Sequence, residues 1–153
     1  MASRASKPIL VIDTREQRPY TFTDSRVGGV VQAALPAGDY SVQGCEMQIA
    51  VERKSLPDYI STVVHAQERF GRELALLKTY PRAWIVVEGA LDDVLQGRYD
   101  SRVTPQSLLA MTASLMTRYG IPVLFAGDRP SARALVEELL VQWHAHQAER
   151  RSA

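Results

Sequence analysis

Two carboxylates and an ammonium group stand among residues that otherwise read as strand. Asp39 closes Leu35-Pro36-Ala37-Gly38-Asp39, and Glu52-Arg53-Lys54 follows Ile49-Ala50-Val51. Strands favour β-branched and aromatic side chains, so charges placed within them call for a purpose. With a hairpin turn at Gly44-Cys45-Glu46, centred between Cys45 and Glu46, Asp39 lies six positions before Cys45 and Glu52 six after Glu46. That arithmetic sets the two acids opposite each other across the ladder, where like charges repel unless a cation lies beside them. Strand alternation puts Glu52 and Lys54 on one face and Arg53 on the other. Asp39, Glu52 and Lys54 thus converge as a metal-binding constellation with an adjacent ammonium, a pattern that suggests phosphodiester hydrolysis.

The elements that must position these groups follow from periodicity and punctuation. Residues Met1 to Pro8 are small and polar and are expected to be disordered. Ile9-Leu10-Val11-Ile12 reads as a buried first strand ending at Asp13, with Asp13-Thr14-Arg15-Glu16 at its C-terminal end. Val30 to Leu35 reads as a second strand, and Tyr40 to Gln43 with Met47 to Lys54 as a hairpin, giving a meander before the first helix. Ser55-Leu56-Pro57-Asp58 reads as a helix start, with Ser at the cap, Pro in the first turn and an acid three residues on. A further helix is predicted from about Ala66 to Thr79, with Phe70, Leu74 and Leu77 on one face and Glu68 and Arg72 spaced for an ion pair.

Beyond it come a buried strand over Ala83 to Glu88, a short helix over Leu91 to Leu95, and a helix capped by Thr104 that runs to about Tyr119. Val123 to Phe125 is a short strand, and Asp128 or Ser131 opens a last helix ending near Glu149. Strands first, then alternating helices and strands, predict a single α/β domain with a central mixed sheet flanked by helices over residues 9–149.

Bulk composition bounds rather than identifies. The 153 residues suit one domain with a real core, and 46% hydrophobic with 23% charged residues describe a globular chain. A net charge of +1 decides nothing about nucleic acid, because local clustering of Lys and Arg is what matters. The single cysteine, Cys45, excludes an internal disulfide and a structural zinc site. With no apolar run long enough for a signal or a span, the chain is expected in the cytoplasm, or in the nucleus of a eukaryote. His65, His144 and His146 receive no function.

Gly38-Asp39, Glu52-Arg53-Lys54 and Asp58 together match the GDx(n)ERKxxxD signature, and the chain resembles the nuclease domain of the XPF-type structure-specific endonucleases. Asp13-Thr14-Arg15-Glu16 is similar to that family's D-x-R-E segment, and Arg69-Phe70 and Val86-Val87-Glu88-Gly89 to further family positions. The resemblance covers about residues 9 to 126. It implies a restriction-endonuclease-like fold, divalent-metal-dependent cleavage of DNA, and a preference for branched, flapped or distorted duplexes in repair or recombination.

Asp39 and Glu52 are the leading candidates for magnesium or manganese ligands, since a hard cation takes carboxylate oxygens and water. Lys54 is expected to orient or activate the attacking water, or to offset phosphate charge. Asp13 is expected to reach the metal and Glu16 to reach it directly or through water, against the blander reading of a solvated turn. Arg53 is a motif member on the opposite face, suited to buttressing the site through a buried ion pair. Asp58 is either part of the site or only the helix cap. Arg69 and Arg72 are candidate phosphate contacts, competing with a solvated helix face.

DNA is the expected partner, with a homodimer or an unknown protein supplying DNA-structure recognition, because no helix-hairpin-helix module is evident after Phe125. A non-catalytic DNA-binding or dimerisation module and a sequence-specific restriction-type or resolvase-type nuclease stand as the competing readings.

Overall fold

In the computed structural model, which describes residues 6–153, the strands form one mixed sheet in the order β2-β1-β3-β4-β5-β6. In chain order the elements are β1 (Ile9–Asp13), β2 (Gly29–Ala33), β3 (Tyr40–Val42), β4 (Ile49–Ser55), α1 (Leu56–His65), α2 (Gln67–Leu77), β5 (Arg82–Glu88), α3 (Leu91–Leu95), α4 (Pro105–Tyr119), β6 (Val123–Phe125) and α5 (Arg129–Ser152). Of the N-terminal stretch expected to be disordered, residues 1–5 lie outside the described residues. Lys7 and Pro8 contact the domain, the Lys7 ammonium donating to the Asp24 carbonyl and the Pro8 carbonyl accepting from the Gly28 N–H.

The expected meander does not form. β2 lies beyond β1 and runs parallel to it, from Ile9↔Gly29 to Asp13↔Ala33, while β3 pairs antiparallel with the other edge of β1. Irregular residues 14–28 are the reason, since a parallel return needs a crossover of about a dozen residues and this segment is long enough to make one. The β3–β4 hairpin is as expected. Tyr40 pairs with Val51, Asp39 N–H donates to the carbonyl of the same Val51 beside Glu52, and the turn is closed by Cys45 N–H donating to the Val42 carbonyl.

Alternation along the central strands splits the core into two layers. Ala50, Ile85 and Val87 face α1, α2 and α4, whereas Ile49, Val51 and Val86 face α5 together with Tyr20 and Phe22 of the crossover. The charged end of β4 inherits this alternation, so that Glu52 and Lys54 share the face of Ala50, and Arg53 shares the face of Val51.

Helix ends follow the local chemistry read from the chain. Ser55, Thr104 and Asp128 cap α1, α4 and α5 by accepting from the N–H of Asp58, Ser107 and Ser131, with a proline in the first turn of each helix. Gly120 ends α4 in the left-handed region at φ 67°. The last helix runs to Ser152 rather than stopping near Glu149. No helix among the described residues is long and apolar enough to cross a membrane.

Candidate active site

Asp39 is held in place before its carboxylate does anything. Its N–H donates to the Val51 carbonyl at 2.9 Å and its own carbonyl accepts from Asp13 N–H at 2.8 Å, so the residue bridges β1 and β4. Gly38 makes this approach feasible: it takes φ +78°, and a Cβ there would lie 2.9 Å from the Ala50 Cβ. The Asp39 carboxylate then accepts from Arg53 N–H at 2.7 Å. Burial, followed by the nearby charge of Glu16, pushes the Asp39 carboxyl up to about 7 against the Arg53 N–H and Lys54, which favour the charged form.

Glu52, only 6% exposed, lines the same cleft as Asp39. Its carboxylate takes a hydrogen bond from the Lys54 ammonium at 3.1 Å, and that ammonium lies 5.3 Å from the centre of the Phe70 ring on α2. Burial raises the Glu52 carboxyl well above its ordinary value, and Asp39 and Glu73 raise it further while Lys54 opposes. Two buried carboxylates that repel each other beside one ammonium form a donor set that fits a hard divalent cation.

These side chains open onto a cleft of about 520 Å³ floored by the strand ends and walled by α2, with Asp13, Asp39, Glu52, Lys54, Arg69 and Glu73 in its lining. Arg15 and Arg72 also border it, and Arg72 pairs with Glu68 on the exposed side of the helix. The expected phosphate contacts Arg69 and Arg72 therefore sit at the cleft.

Asp13, the expected third metal ligand, lines the same cleft and is bonded there to Arg15. Both Asp13 oxygens accept from the Arg15 guanidinium, at 2.8 and 3.2 Å, and one also accepts from Leu35 N–H at 2.8 Å. Burial pushes the Asp13 carboxyl up, but the bonds from Arg15 and Leu35 outweigh it and leave the group below its ordinary value. Among the described residues no three Asp, Glu, His or Cys side chains stand together as a ready metal cage. Asp39 and Glu52 provide the convergent pair, and Asp13 sits beside them as an ion-paired neighbour.

Glu16 does not line the cleft. With Arg53 it belongs to a buried cluster on the opposite face of β4, where the guanidinium bonds Glu16 at 3.2 Å and Glu88 at 2.6 Å. Glu88 also accepts from the Tyr20 hydroxyl at 2.7 Å and from Arg129 of α5 at 3.1 Å. Burial works against the Arg53 charge, and Glu16 and Glu88 more than restore it, keeping the guanidinium above its ordinary range. Asp58 is exposed and away from the cleft, its N–H donating to the Ser55 hydroxyl.

Two groups escaped the sequence reading. Glu73 lies four residues after Arg69 and three after Phe70, a spacing that puts all three on one face of a helix, so the signal was available. Arg129 had none, because its reach to Glu88 and to the Arg18 carbonyl at 2.7 Å depends on how α5 packs.

The sequence profile of the ERCC4 domain matches residues 12–139. Among solved structures, XPF from Aeropyrum pernix is 31% identical with a TM-score of 0.66, over 89% of this chain and 61% of that one. XPF from Aeropyrum pernix in complex with DNA is 29% identical with a TM-score of 0.67, over 92% of this chain and 66% of that one. The chain therefore spans somewhat less than two thirds of the chains it resembles. No curated protein sequence matches it.

Proposed function

The chain belongs to the ERCC4 domain family, with an XPF-type nuclease fold, and from that premise we propose that it is a divalent-metal-dependent DNA endonuclease cutting branched, flapped or distorted duplexes. The single observation that carries this reading is the buried, mutually repelling pair Asp39 and Glu52 beside Lys54 in an open cleft. The A. pernix XPF recorded in complex with DNA supports nucleic acid as the occupant of that cleft.

Asp39 and Glu52 would hold magnesium or manganese, with the remaining positions left to water and phosphate. When bound, such an ion polarises the phosphate and makes its water a better nucleophile. The chain's own work is positional. The Arg53 N–H aims the Asp39 carboxylate, and Lys54 donates one hydrogen bond to Glu52, leaving two ammonium protons for the attacking water or the phosphate oxygens. Arg69, at the rim, supplies positive charge for the flanking backbone. Water adds to phosphorus, one P–O ester bond breaks, and the leaving oxygen takes up a proton.

A second subunit or a partner protein is proposed to recognise the DNA structure, and repair or recombination is the setting that fits such a substrate. The test is a panel of flap, fork, bubble and unbranched duplexes with magnesium or manganese. Branched substrates should be cut, and Asp39→Ala should abolish cutting without unfolding the protein. Intact substrates with both metals would leave a non-catalytic DNA-binding module. Cutting of unbranched duplex at one sequence would replace the branched-DNA reading with a restriction-type one.

A further inference from the structure

α2 contributes a fourth acid to the cleft, Glu73, and the hydrolytic roles described above leave it unused. Glu73 is half-buried in the lining of the cleft that also holds Asp39 and Glu52. Its charge is also felt by Asp39 and by Arg15 at the mouth of the cleft. A solvated helix acid would turn outward to water, as Glu68 of the same helix does with its side chain 92% exposed. Glu73 instead approaches two buried carboxylates that already repel each other, an arrangement that costs stability unless a cation offsets it.

Asp13, the other acid beside the pair, has both oxygens taken by Arg15. Among the described residues Glu73, the remaining carboxylate of the cleft lining, makes no ion pair: Arg15, Lys54 and Arg72 are bonded to Asp13, Glu52 and Glu68, and Arg69, one turn earlier on α2, pairs with no acid. Because no three acids among the described residues form a ready cage, direct ligation by Glu73 is not what the geometry favours. A divalent ion of the magnesium type keeps several of its waters, and those waters need acceptors.

We propose that Glu73 is a positioning residue of the metal site, accepting hydrogen bonds from water carried by the ion that Asp39 and Glu52 hold. The inference rests on the metal-dependent reading above and adds to it the wall of the site that α2 supplies. Groups that orient a metal's surroundings without ligating it typically change affinity by about 10–100-fold when removed.

Calorimetric titration of manganese into the DNA-free protein tests it, with wild type, Glu52→Gln and Glu73→Gln side by side. Glu73→Gln should weaken binding roughly tenfold or more, and Glu52→Gln should abolish it. The metal-free melting temperature of Glu73→Gln should rise, because one of three mutually repelling carboxylates is gone; a residue needed only for packing would lower it. Wild-type affinity in Glu73→Gln, or a fall in its metal-free melting temperature, overturns the role of Glu73 alone. Absence of manganese binding by wild type overturns the metal-dependent reading itself, and this inference with it.

Discussion

Arg53 shows how one motif member serves a site it does not face. Its backbone N–H aims Asp39 into the cleft, while its guanidinium is buried on the other side of β4 between Glu16 and Glu88. The side chains of Arg53, Glu16 and Glu88 are 9%, 6% and 7% exposed, so these charges rely on one another rather than on water. Removing one partner from such a cluster costs about 3–5 kcal/mol. Arg53→Met should therefore lose about that much stability in urea unfolding, yet keep metal binding wherever it remains folded, because the N–H to Asp39 is unchanged. Loss of metal affinity in the folded variant would show that the guanidinium itself acts on the cleft.

At the scale of elements, the hairpin of β3 and β4 is the unit that makes the site. Gly38 lets the chain enter β3 at φ +78° with its backbone against Ala50, and Asp39 then bonds both β1 and β4. Any side chain at position 38 meets a Cβ that cannot move without shifting β4. Gly38→Ala should cost about 1–2 kcal/mol for the left-handed conformation alone, more with the contact to Ala50, and it should weaken metal binding through displacement of Asp39. A thermal melt paired with a manganese titration checks both. Gly89 plays a related part at the end of β5, where a Cβ would lie 2.8 Å from the Leu56 Cβ, so the close seating of α1 depends on a bare backbone there.

For the whole molecule, a pair of buried acids only partly offset by Lys54 ties stability to pH. Burial raises Asp39 to about 7 from an ordinary value of 3.8, and raises Glu52 in the same direction. A carboxyl with a raised folded value holds its proton more tightly in the folded state than in the unfolded one. Between about pH 4 and pH 7 the unfolded chain has therefore shed protons that the folded chain retains, and the folded state loses stability as pH rises through that window. Metal-free protein should melt at a lower temperature at about pH 8 than at about pH 5, and saturating manganese should diminish or reverse the difference by replacing the protons. A metal-free melting temperature that climbs across the window would mean that the pair is not buried and repelling in solution. At this same scale α5 closes the back of the sheet, and Arg129 carries that packing to Glu88 and, stacked 4.6 Å over the Tyr20 ring, to the crossover.

Local rules reached far into this protein. The turn at Cys45, the meeting of Asp39 and Glu52 in one cleft, the separation of Arg53 onto the other face, and the ends of α3, α4 and β6 were all legible, because each depends on strand alternation or cap chemistry within a few residues. The order of the sheet was not. Placing β2 beyond β1 depends on a crossover with no periodicity to read, and on which strand edge is left free once β3 has paired with β1. For the same reason the sequence grouped Asp13 and Glu16 with the cleft acids, whereas the fold keeps Asp13 in the cleft, bonded to Arg15, and gives Glu16 to Arg53 on the other face. It is also the fold that brings Glu73 from α2 and Arg129 from α5 to opposite faces of one strand. Chemistry borne by adjacent or alternating residues is written in the chain, while charge partnerships between distant segments exist only once packing has decided which of them meet away from water.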